Sequence, residues 1–370
     1  MRHRTFVNRT CAWLLATAVV MALGTGVSSA QAQPPAPGEP VTDPVTDATP
    51  ASSLQFKGFG DIQFRATDTT EVPSTFALGQ LDFFVTSAVG GAWSVLAELV
   101  VEANAANQIA FEIERMQLQY FPNDHLRVIF GRYHASIGYY NTAYHHGTWF
   151  QTAVGRPQLF AFEDEGGILP VHDVGVSASG LLSSRGLGLH WVAEIGNGRN
   201  WHPDAEAVQN ERDLAAAKAI NLGGWVRPAR LPGFQAGASW YRDRLDVDGQ
   251  RVTSTMIATH VVYDSPRFEW LNEWLWIRHQ ADGQAGHLAP AGYSQAAYRV
   301  GRGRPFARYE YIDANAGHPL LGAIGGEHGP SLGARFDITP AVAFKAQYDR
   351  RVRSEGATSN GLAVQLAFTF

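Results

Sequence analysis

Apolar and polar residues alternate with a period of two along most of this chain. The last ten residues, "GLAVQLAFTF" (361–370), show the pattern: Leu362, Val364, Leu366 and Phe368 are apolar, and the positions between them are small or polar. A period of two places successive side chains on opposite faces of a β-strand. No long segment carries a convincing helical period. The pattern therefore predicts an all-β protein.

The alternation predicts sixteen strands, and their order suggests a barrel. We place them at residues 54–66, 76–88, 91–103, 109–121, 124–133, 170–182, 186–196, 215–227, 233–244, 251–263, 267–279, 292–301, 304–313, 329–338, 341–352 and 361–370. The predicted connections alternate along the whole chain: they are brief after even-numbered strands and longer and polar after odd-numbered strands. Tight turns at one end and long loops at the other are typical of up-and-down barrels in outer membranes. We therefore predict a transmembrane antiparallel β-barrel of about 16 strands over residues 54–370.

Strand length and aromatic placement agree with this architecture. A tilted strand needs roughly 9–11 residues to cross the hydrocarbon layer, and the predicted strands are long enough. Tryptophan and tyrosine are frequent near the predicted strand ends, as membrane interfaces require. The alternative is a soluble β core filled by the same rings, but it does not explain the alternating connection lengths. An even strand count also lets the last strand pair with the first.

The first 53 residues have a different composition. Three arginines precede an apolar run at 12–24, and an Ala-x-Ala cleavage site follows at 30–32. This arrangement predicts a signal peptide at residues 1–32, with an uncleaved anchor helix as the alternative. Residues 33–53 are rich in proline and small polar residues and are predicted to be an extended periplasmic linker.

Cysteine content and charge exclude several classes of function. Cys11 is the only cysteine and lies in the predicted signal peptide, so the mature chain would have no disulfide or thiol chemistry. The chain has 29 Lys and Arg against 34 Asp and Glu. Without the three signal-peptide arginines, 26 bases face 34 acids, a formal charge of −8. This balance argues against nucleic acid or an anionic lipid surface as a partner.

One predicted connection is much longer than the others. It runs from His134 to Pro170, after the fifth strand, and is rich in aromatic residues and glycine. Long loops in compact domains are usually functional, and a sixteen-stranded barrel is too wide to fill with its own wall side chains. We therefore expect this loop to be functional. Its place as the third long loop resembles that of the loop which trimeric porins fold into the lumen, and the resemblance implies the same path here.

Charged residues define the candidate constriction. The loop supplies Glu163, Asp164 and Glu165 in "FEDEGG" (162–167), together with His145 and His146. The strand alternation places six basic residues on the inward face of the barrel: Lys57, Arg127, Arg308, Arg335, Lys345 and Arg351. An acidic loop facing a basic wall would set up a transverse field that favours small polar solutes. A solvated loop tip and a divalent-cation site are the alternatives for the acidic stretch.

The signal peptide, the sixteen strands, the folded third loop and the terminal Phe370 together resemble the outer-membrane porins. "VIFGRYHASIGYYN" (128–141) is similar to the GR-x-x-x-P-x-G stretch of phosphate-selective porin-like (OprP/OprO-type) proteins, with Ala135 and Ser136 where a proline is usual. The resemblance implies passive diffusion of small hydrophilic solutes across the outer membrane of a Gram-negative-type cell.

The same resemblance implies partners for the chain. They are outer-membrane lipid, a homotrimer, and the assembly machinery, which would read Phe368 and Phe370 as a C-terminal signal. Phosphate specificity is not carried over, because acidic residues such as Asp61, Glu98 and Glu310 accompany the bases at inward positions.

Several alternatives stay open. The barrel could be a substrate-specific channel for an anion or a metal complex, or a non-transporting surface barrel plugged by its own loop. His134 and His172 flank the loop and could ligate zinc or copper, but no i, i+2 or i, i+4 histidine pair accompanies them. His134 and Ser136 lie close in sequence without a nucleophile motif. We therefore predict no metal site, no cofactor and no enzymatic activity.

Overall fold

The computed structural model describes residues 54–69, 73–103, 108–144, 147–162, 167–182, 186–199, 217–247, 249–315, 317–322 and 324–370. Its strands are β1 (Gln55–Thr67), β2 (Thr75–Gly90), β3 (Trp93–Ala103), β4 (Ile109–Asn123), β5 (Leu126–His134), β6 (His172–Leu182), β7 (Leu189–Gly196), β8 (Ala219–Val226), β9 (Phe234–Val247), β10 (Gln250–Asp264), β11 (Phe268–Ala281), β12 (His287–Tyr298), β13 (Gly303–Asp313), β14 (Gly326–Thr339), β15 (Val342–Arg353) and β16 (Thr358–Thr369). The helices of this described part are α1 (Tyr140–Ala143) and two short 3₁₀ turns, Thr148–Phe150 and Gln158–Phe160. The predicted signal peptide and linker, 1–32 and 33–53, lie outside these residues.

The strands form one closed antiparallel barrel. Each strand pairs with its neighbours in the chain, and β16 pairs with β1, from Phe59↔Thr369 to Thr67↔Gly361. Closure leaves no strand edge with unpaired backbone groups. The predicted sixteen-stranded antiparallel barrel is confirmed. Within the described residues, no helix is both long and apolar enough to cross a membrane.

The two ends of the barrel differ. Connections that follow even-numbered strands lie at what we call the turn end, together with Leu54 and Phe370; connections that follow odd-numbered strands lie at the loop end.

The predicted alternation of short and long connections is wrong at two places of the loop end. Only residues 248–249 separate β9 from β10, and only residues 354–357 separate β15 from β16. The strand ladder continues almost to the hairpin tip there, with Gln250 opposite Val247. For the same reason β12 begins at His287 rather than at residue 292, because residues read as loop continue the ladder opposite β11.

The outer surface of the barrel is strongly apolar. Phe76, Leu78 and Phe111 are 79%, 65% and 81% exposed on β2 and β4. Trp93 and Tyr120 pair near the turn end with ring centroids 4.7 Å apart. Exposed large apolar side chains bordered by aromatic rings are the pattern of a lipid-facing barrel surface.

The seam between β1 and β16 explains the apolar chain end. Phe370 N donates to Gly58 O and Gly58 N donates to Phe370 O, both at 2.9 Å. A Cβ on Gly58 would lie 2.1 Å from the Phe370 ring, and a Cβ on Gly60 would lie 2.7 Å from the Phe368 ring. The two glycines therefore leave room for the two terminal rings.

We expect deletion of Phe370 to lower the amount of assembled barrel in the membrane. The deletion removes the last pair of seam hydrogen bonds, each worth roughly 0.5–1.5 kcal/mol, and the ring over Gly58. The measurement is the fraction of membrane-extracted protein that migrates as the compact folded species on unheated gels. Phe370→Tyr keeps the backbone and the ring and serves as the control. Equal assembly of the deletion and the wild type would contradict the role of this residue.

Candidate functional site: the segment inside the barrel

The chain between β5 and β6, residues 135–171, forms what we call the inserted segment. β5 pairs with β4 only as far as Met116↔Arg132, and the chain then leaves the wall. The segment closes on itself at its neck, where Ala135 N donates to Val171 O at 2.9 Å. Asn141 strengthens the neck by donating its amide to Ala135 O at 2.7 Å and to Val171 O at 3.0 Å. Both ends of the segment are thus held together beside the wall.

Acidic wall side chains bind backbone N–H groups of the segment. Glu194 on β7 accepts from Ser136 N at 2.9 Å. Glu273 on β11 is fully buried and accepts from Tyr139 N at 2.5 Å and from Tyr140 N at 2.9 Å. Because a carboxylate offers two acceptor oxygens, each of these residues can hold two donors at once. The first turn of the segment is anchored to β7 and β11.

Basic wall side chains bind backbone carbonyls farther along the segment. Lys345 on β15 is fully buried, with Nζ 2.5 Å from Thr148 O and 3.2 Å from Ala153 O.

Two arginines on neighbouring strands act in the same way. Arg335 on β14 donates to Gln151 O at 3.1 Å and also to Trp149 O. Arg308 on β13 donates to Gly155 O at 3.2 Å. Since the anchors lie on β7, β11 and β13–β15, the segment passes through the interior of the barrel rather than over its rim.

Arg156 ties the segment together from within. It donates to Tyr144 O at 2.9 Å, to Asn141 Oδ1 at 3.1 Å and to Phe160 O. Its guanidinium also lies over the rings of Tyr140 and Phe162, 5.3 Å and 4.3 Å from the centroids. One side chain therefore joins the start, middle and end of the segment.

One half of the lumen is packed as an apolar core. The inner faces of β9–β13 carry Leu271, Leu275 and Ile277, all fully buried, and they belong to one cluster with Tyr140 and Phe160 of the segment. Outer-membrane barrels usually alternate apolar-out with polar-in. Here the inner faces of β9–β13 carry apolar residues interspersed with buried polar ones such as Glu273 and Arg308, and the segment covers that face.

The connection between β13 and β14 closes this apolar half at the loop end. Leu320 and Leu321 join the same cluster. Burial lowers the pKa of the neighbouring His318 to about 4, with a smaller effect from His287. The His318 imidazole is therefore neutral at neutral pH, and its Nδ1 accepts from Leu321 N at 3.0 Å.

The other half of the lumen is polar. Glu98 on β3 pairs with Arg115 on β4 at 2.5 Å, and Gln365 on β16 donates to Asp61 on β1 at 2.9 Å. Asp82 on β2 is 1% exposed. Among the described residues, Asp82 Oδ1 and Gln365 Oε1 have no protein hydrogen-bond partner. Buried polar side chains therefore line this half of the lumen, whereas an apolar cluster fills much of the other half.

Comparison with known proteins supports this architecture through structure only. No family model and no curated protein matches the chain. A loop L8 deletion mutant of OmpT, an outer membrane protein of Vibrio cholerae, aligns with a TM-score of 0.58 at 12% identity, over 86% of this chain and 100% of that one. The anion-selective porin from Comamonas acidovorans aligns with a TM-score of 0.61 at 15% identity, over 86% and 100%. The outer membrane channel DcaP of Acinetobacter baumannii gives 0.59 at 9% identity, over 88% and 99%.

The fold is that of the outer-membrane porins. At identities this low the likeness establishes the fold alone, so the function of this porin-type barrel has to be argued from its own residues.

The predicted wall bases fall into two groups. Arg308, Arg335 and Lys345 contact the inserted segment, as described above. The structure gives the other three different contacts or positions. Arg351 is paired with Glu310, Arg127 donates to Gln119 at 2.9 Å, and Lys57 is exposed near the turn end.

The predicted constriction residues are Glu163, Asp164, Glu165, His145 and His146, and all five lie outside the described residues. The residues that flank the acidic stretch are held in place. Phe162 stacks on His172 with centroids 5.9 Å apart, and Arg199 donates to Gly167 O at 2.6 Å. The role of the acidic stretch stays a prediction.

Sequence reasoning missed Arg156, Glu273 and Glu269, the last of which accepts from the Thr152 hydroxyl of the segment at 2.8 Å. The two glutamates were detectable, because they share the inner face of β11 with Leu271 and Leu275 in strict alternation. A carboxylate among inward leucines needs a partner, and backbone N–H groups of an inserted loop are such partners. Arg156 gave no comparable signal, since its contacts depend on the path of the segment.

The histidines beside the segment serve as hydrogen-bonding groups. His172 Nε2 lies 2.8 Å from Glu114 Oε2, and His134 Nδ1 lies 3.1 Å from Asn141 O. The hydroxyl of Ser136 donates to Glu194 at 2.8 Å. Within the described part of the chain, no group of three or more His, Cys, Asp or Glu could hold a metal ion.

Proposed function

We propose that this chain is an outer-membrane channel for passive diffusion of small hydrophilic solutes and ions in a Gram-negative-type cell. The porin fold, the apolar outer surface and the polar half of the lumen support the proposal. The signal peptide at 1–32 would direct export, and residues 33–53 would lie in the periplasm as a linker. Solutes would pass between the inserted segment and the polar wall formed by β1–β4.

The polar half of the lumen is the observation that carries this proposal. Charged and amide side chains are retained there at positions such as Asp82 and Gln365. Burying the oxygens Asp82 Oδ1 and Gln365 Oε1 without a protein partner costs free energy. The opposite half shows that the same barrel can bury an apolar core. The difference between the two halves supports one hydrated passage, displaced from the barrel axis.

The passage would be narrow and weakly cation-preferring. Asp61, Asp82 and Glu98 are each no more than 5% exposed, which indicates little free space beside them. Glu98 is neutralised by Arg115, whereas Asp82 has no ion pair among the described residues. A constriction role for Glu163, Asp164 and Glu165 belongs to this proposal, because it would add acidic charge to the passage.

Single-channel recording in planar bilayers tests the proposal. We expect a small ohmic conductance with a cation preference that falls in Asp61→Asn, since one unit charge about 6 Å from a permeant ion in water contributes roughly 0.7 kcal/mol, or about a threefold change in the permeability ratio. Asp282→Asn, an exposed loop-end acid, is the matched control and should conduct like the wild type. Absence of any conductance from correctly folded barrel would instead support a plugged surface barrel.

A second candidate is a substrate-specific anion channel of the phosphate-selective porin-like type. The grouping of five bases on β13–β15 favours it, although the four arginines are ion-paired with Glu269, Glu310 and Asp337; the bases are Arg304, Arg308, Arg335, Lys345 and Arg351. Three of these bases are occupied by carbonyls of the segment, which argues for structure rather than transport. Saturable current that millimolar phosphate blocks would favour this candidate over the general channel.

The assembly state of the barrel is also a proposal. One of the similar structures is described as the trimer form of the Vibrio cholerae OmpT. A homotrimer of this chain would bury part of its exposed apolar face and would interact with outer-membrane lipid over the remainder. The terminal Phe368 and Phe370 would be read by the outer-membrane assembly machinery. Light scattering of the detergent-solubilised barrel would determine the number of copies.

A further inference from the structure

Four arginines lie on the outer face of β9–β11 near the loop end, and we call them the arginine patch. They are Arg242 and Arg244 on β9, Arg251 on β10 and Arg278 on β11, and all four are exposed. They alternate along their strands with buried residues that face the lumen, such as Asp243 between Arg242 and Arg244. Their side chains therefore point away from the lumen.

The strand register places these arginines side by side. Arg242 and Arg278 both pair with Thr255, one from each side, so their Cα atoms are two strand spacings, or about 10 Å, apart. Arg244 lies one row nearer the loop end, opposite Thr253. The guanidinium groups that would bind one phosphate therefore come from β9 and β11, the two strands on either side of β10.

The acidic counter-charge of the patch lies beside Arg251, which pairs across the strands with the exposed Asp246. Arg251 lies 4.0 Å from Asp282, and both side chains are largely exposed. Within the described residues, Arg242, Arg244 and Arg278 make no ion pair. The formal charge of the whole chain is negative and argued against anionic partners, but the local charge here is positive. A local cluster of this sign attracts anions whatever the net charge of the protein.

An apolar row borders the patch on the side facing the middle of the barrel. Ile257 pairs with Trp240 on one side and with Trp276 on the other, in the row next to Arg242 and Arg278. Ile257 and Trp276 are 48% and 41% exposed. The lipid-facing surface continues from this row toward the turn end as far as Tyr263, which pairs with Trp270. Tryptophan rows mark the level at which hydrocarbon gives way to polar headgroups.

We propose that the arginine patch binds a phosphate-bearing headgroup of a lipid in the outer leaflet. Arg242 and Arg278 lie one row beyond the apolar band, at the depth of the headgroups, and the other two arginines lie farther toward the loop end. A guanidinium fork matches phosphate oxygens in two parallel hydrogen bonds. Acyl chains of the same lipid would lie against Trp240, Ile257 and Trp276. The proposal rests on the outer-membrane location given under the proposed function, but it does not depend on conduction.

The arginine patch is tested by lipid binding to the folded barrel in dodecylmaltoside micelles. Bound lipid is counted by native mass spectrometry during titration with bisphosphorylated lipid A and, separately, with phosphatidylcholine. We expect the affinity for lipid A to fall about 100-fold in the triple variant Arg242→Gln, Arg244→Gln, Arg278→Gln. The reason is that loss of each arginine facing an anionic headgroup lowers the affinity roughly fivefold. Phosphatidylcholine binding should change little, since its headgroup carries no net charge.

A matched control separates the patch from total charge. The control variant replaces three exposed arginines of the turn end with glutamine: Arg230→Gln, Arg267→Gln and Arg302→Gln. It removes the same number of positive charges and should bind lipid A like the wild type. Equal lipid A affinity in wild type and patch variant would overturn the proposal, and so would equal losses in the two triple variants. The patch variant should keep wild-type conductance, so failure here leaves the proposed channel function untouched. Gel migration of unheated samples confirms that each variant is folded.

Discussion

Replacing residues 137–168 with Gly-Ser-Gly is expected to widen the channel and to destabilise the barrel at the same time. The replacement removes the aromatic residues that cover the inner faces of β9–β13. Leu271, Leu275 and Ile277, which are now fully buried, would then meet water. Each such side chain loses roughly 1.5–3 kcal/mol on exposure, an upper estimate because unfolded chains also bury some surface.

Two measurements on the shortened barrel separate these effects. Single-channel conductance should rise several-fold, and the denaturant midpoint of unfolding should fall. Adding Leu271→Gln, Leu275→Asn and Ile277→Thr to the shortened barrel should recover part of the midpoint, because the uncovered wall becomes polar. The same three substitutions in the full-length chain should be destabilising. A shortened barrel as stable as the wild type would show that the apolar half-lumen does not depend on the segment.

Arg156→Ala should loosen the inserted segment while leaving the barrel wall intact. The change removes three hydrogen bonds from one guanidinium and its contacts with the rings of Tyr140 and Phe162. Hydrogen bonds from charged groups contribute roughly 1.5–3 kcal/mol each, although the three are not additive. We expect faster hydrogen exchange at segment amides, fluctuating current levels and a higher mean conductance.

Controls distinguish this effect from a general loss of stability. Arg156→Lys keeps the charge but not the fork, and it should give an intermediate result, since an ammonium cannot reach three acceptors in a plane. Arg251→Ala removes an exposed loop-end arginine and should leave hydrogen exchange in the segment unchanged. Amide protection in Arg156→Ala equal to that in the wild type would mean that the wall anchors alone determine the fold of the segment.

The barrel was predictable from the sequence because strand alternation is a local signal. Every one of the sixteen predicted strands has its counterpart in the structure, and errors are confined to strand ends such as the start of β12 at His287. The loop-end hairpins were harder, since a ladder that continues past the membrane carries the same polar residues as a loop. Gln250 opposite Val247 is one example.

The interior was only partly predictable. Inward parity predicted that Arg335 of β14 and Lys345 of β15 face the lumen, but it gave no information on what they bind. The Tyr139–Glu273 hydrogen bond joins residues 134 positions apart. Contacts at that separation depend on the path of the segment through a closed barrel, and neither alternation nor composition encodes that path.

The wall holds the inserted segment by its backbone. Glu273 binds backbone N–H groups, and Lys345 and Arg308 bind backbone carbonyls. These hydrogen bonds therefore do not depend on which side chains the segment carries at the bound positions. Substitutions at Thr148 could therefore change the lining of the passage while leaving the Lys345 anchor in place. The permeability of such a barrel can therefore change during evolution or be redesigned through substitutions in one short stretch of the segment, while the sixteen strands stay the same.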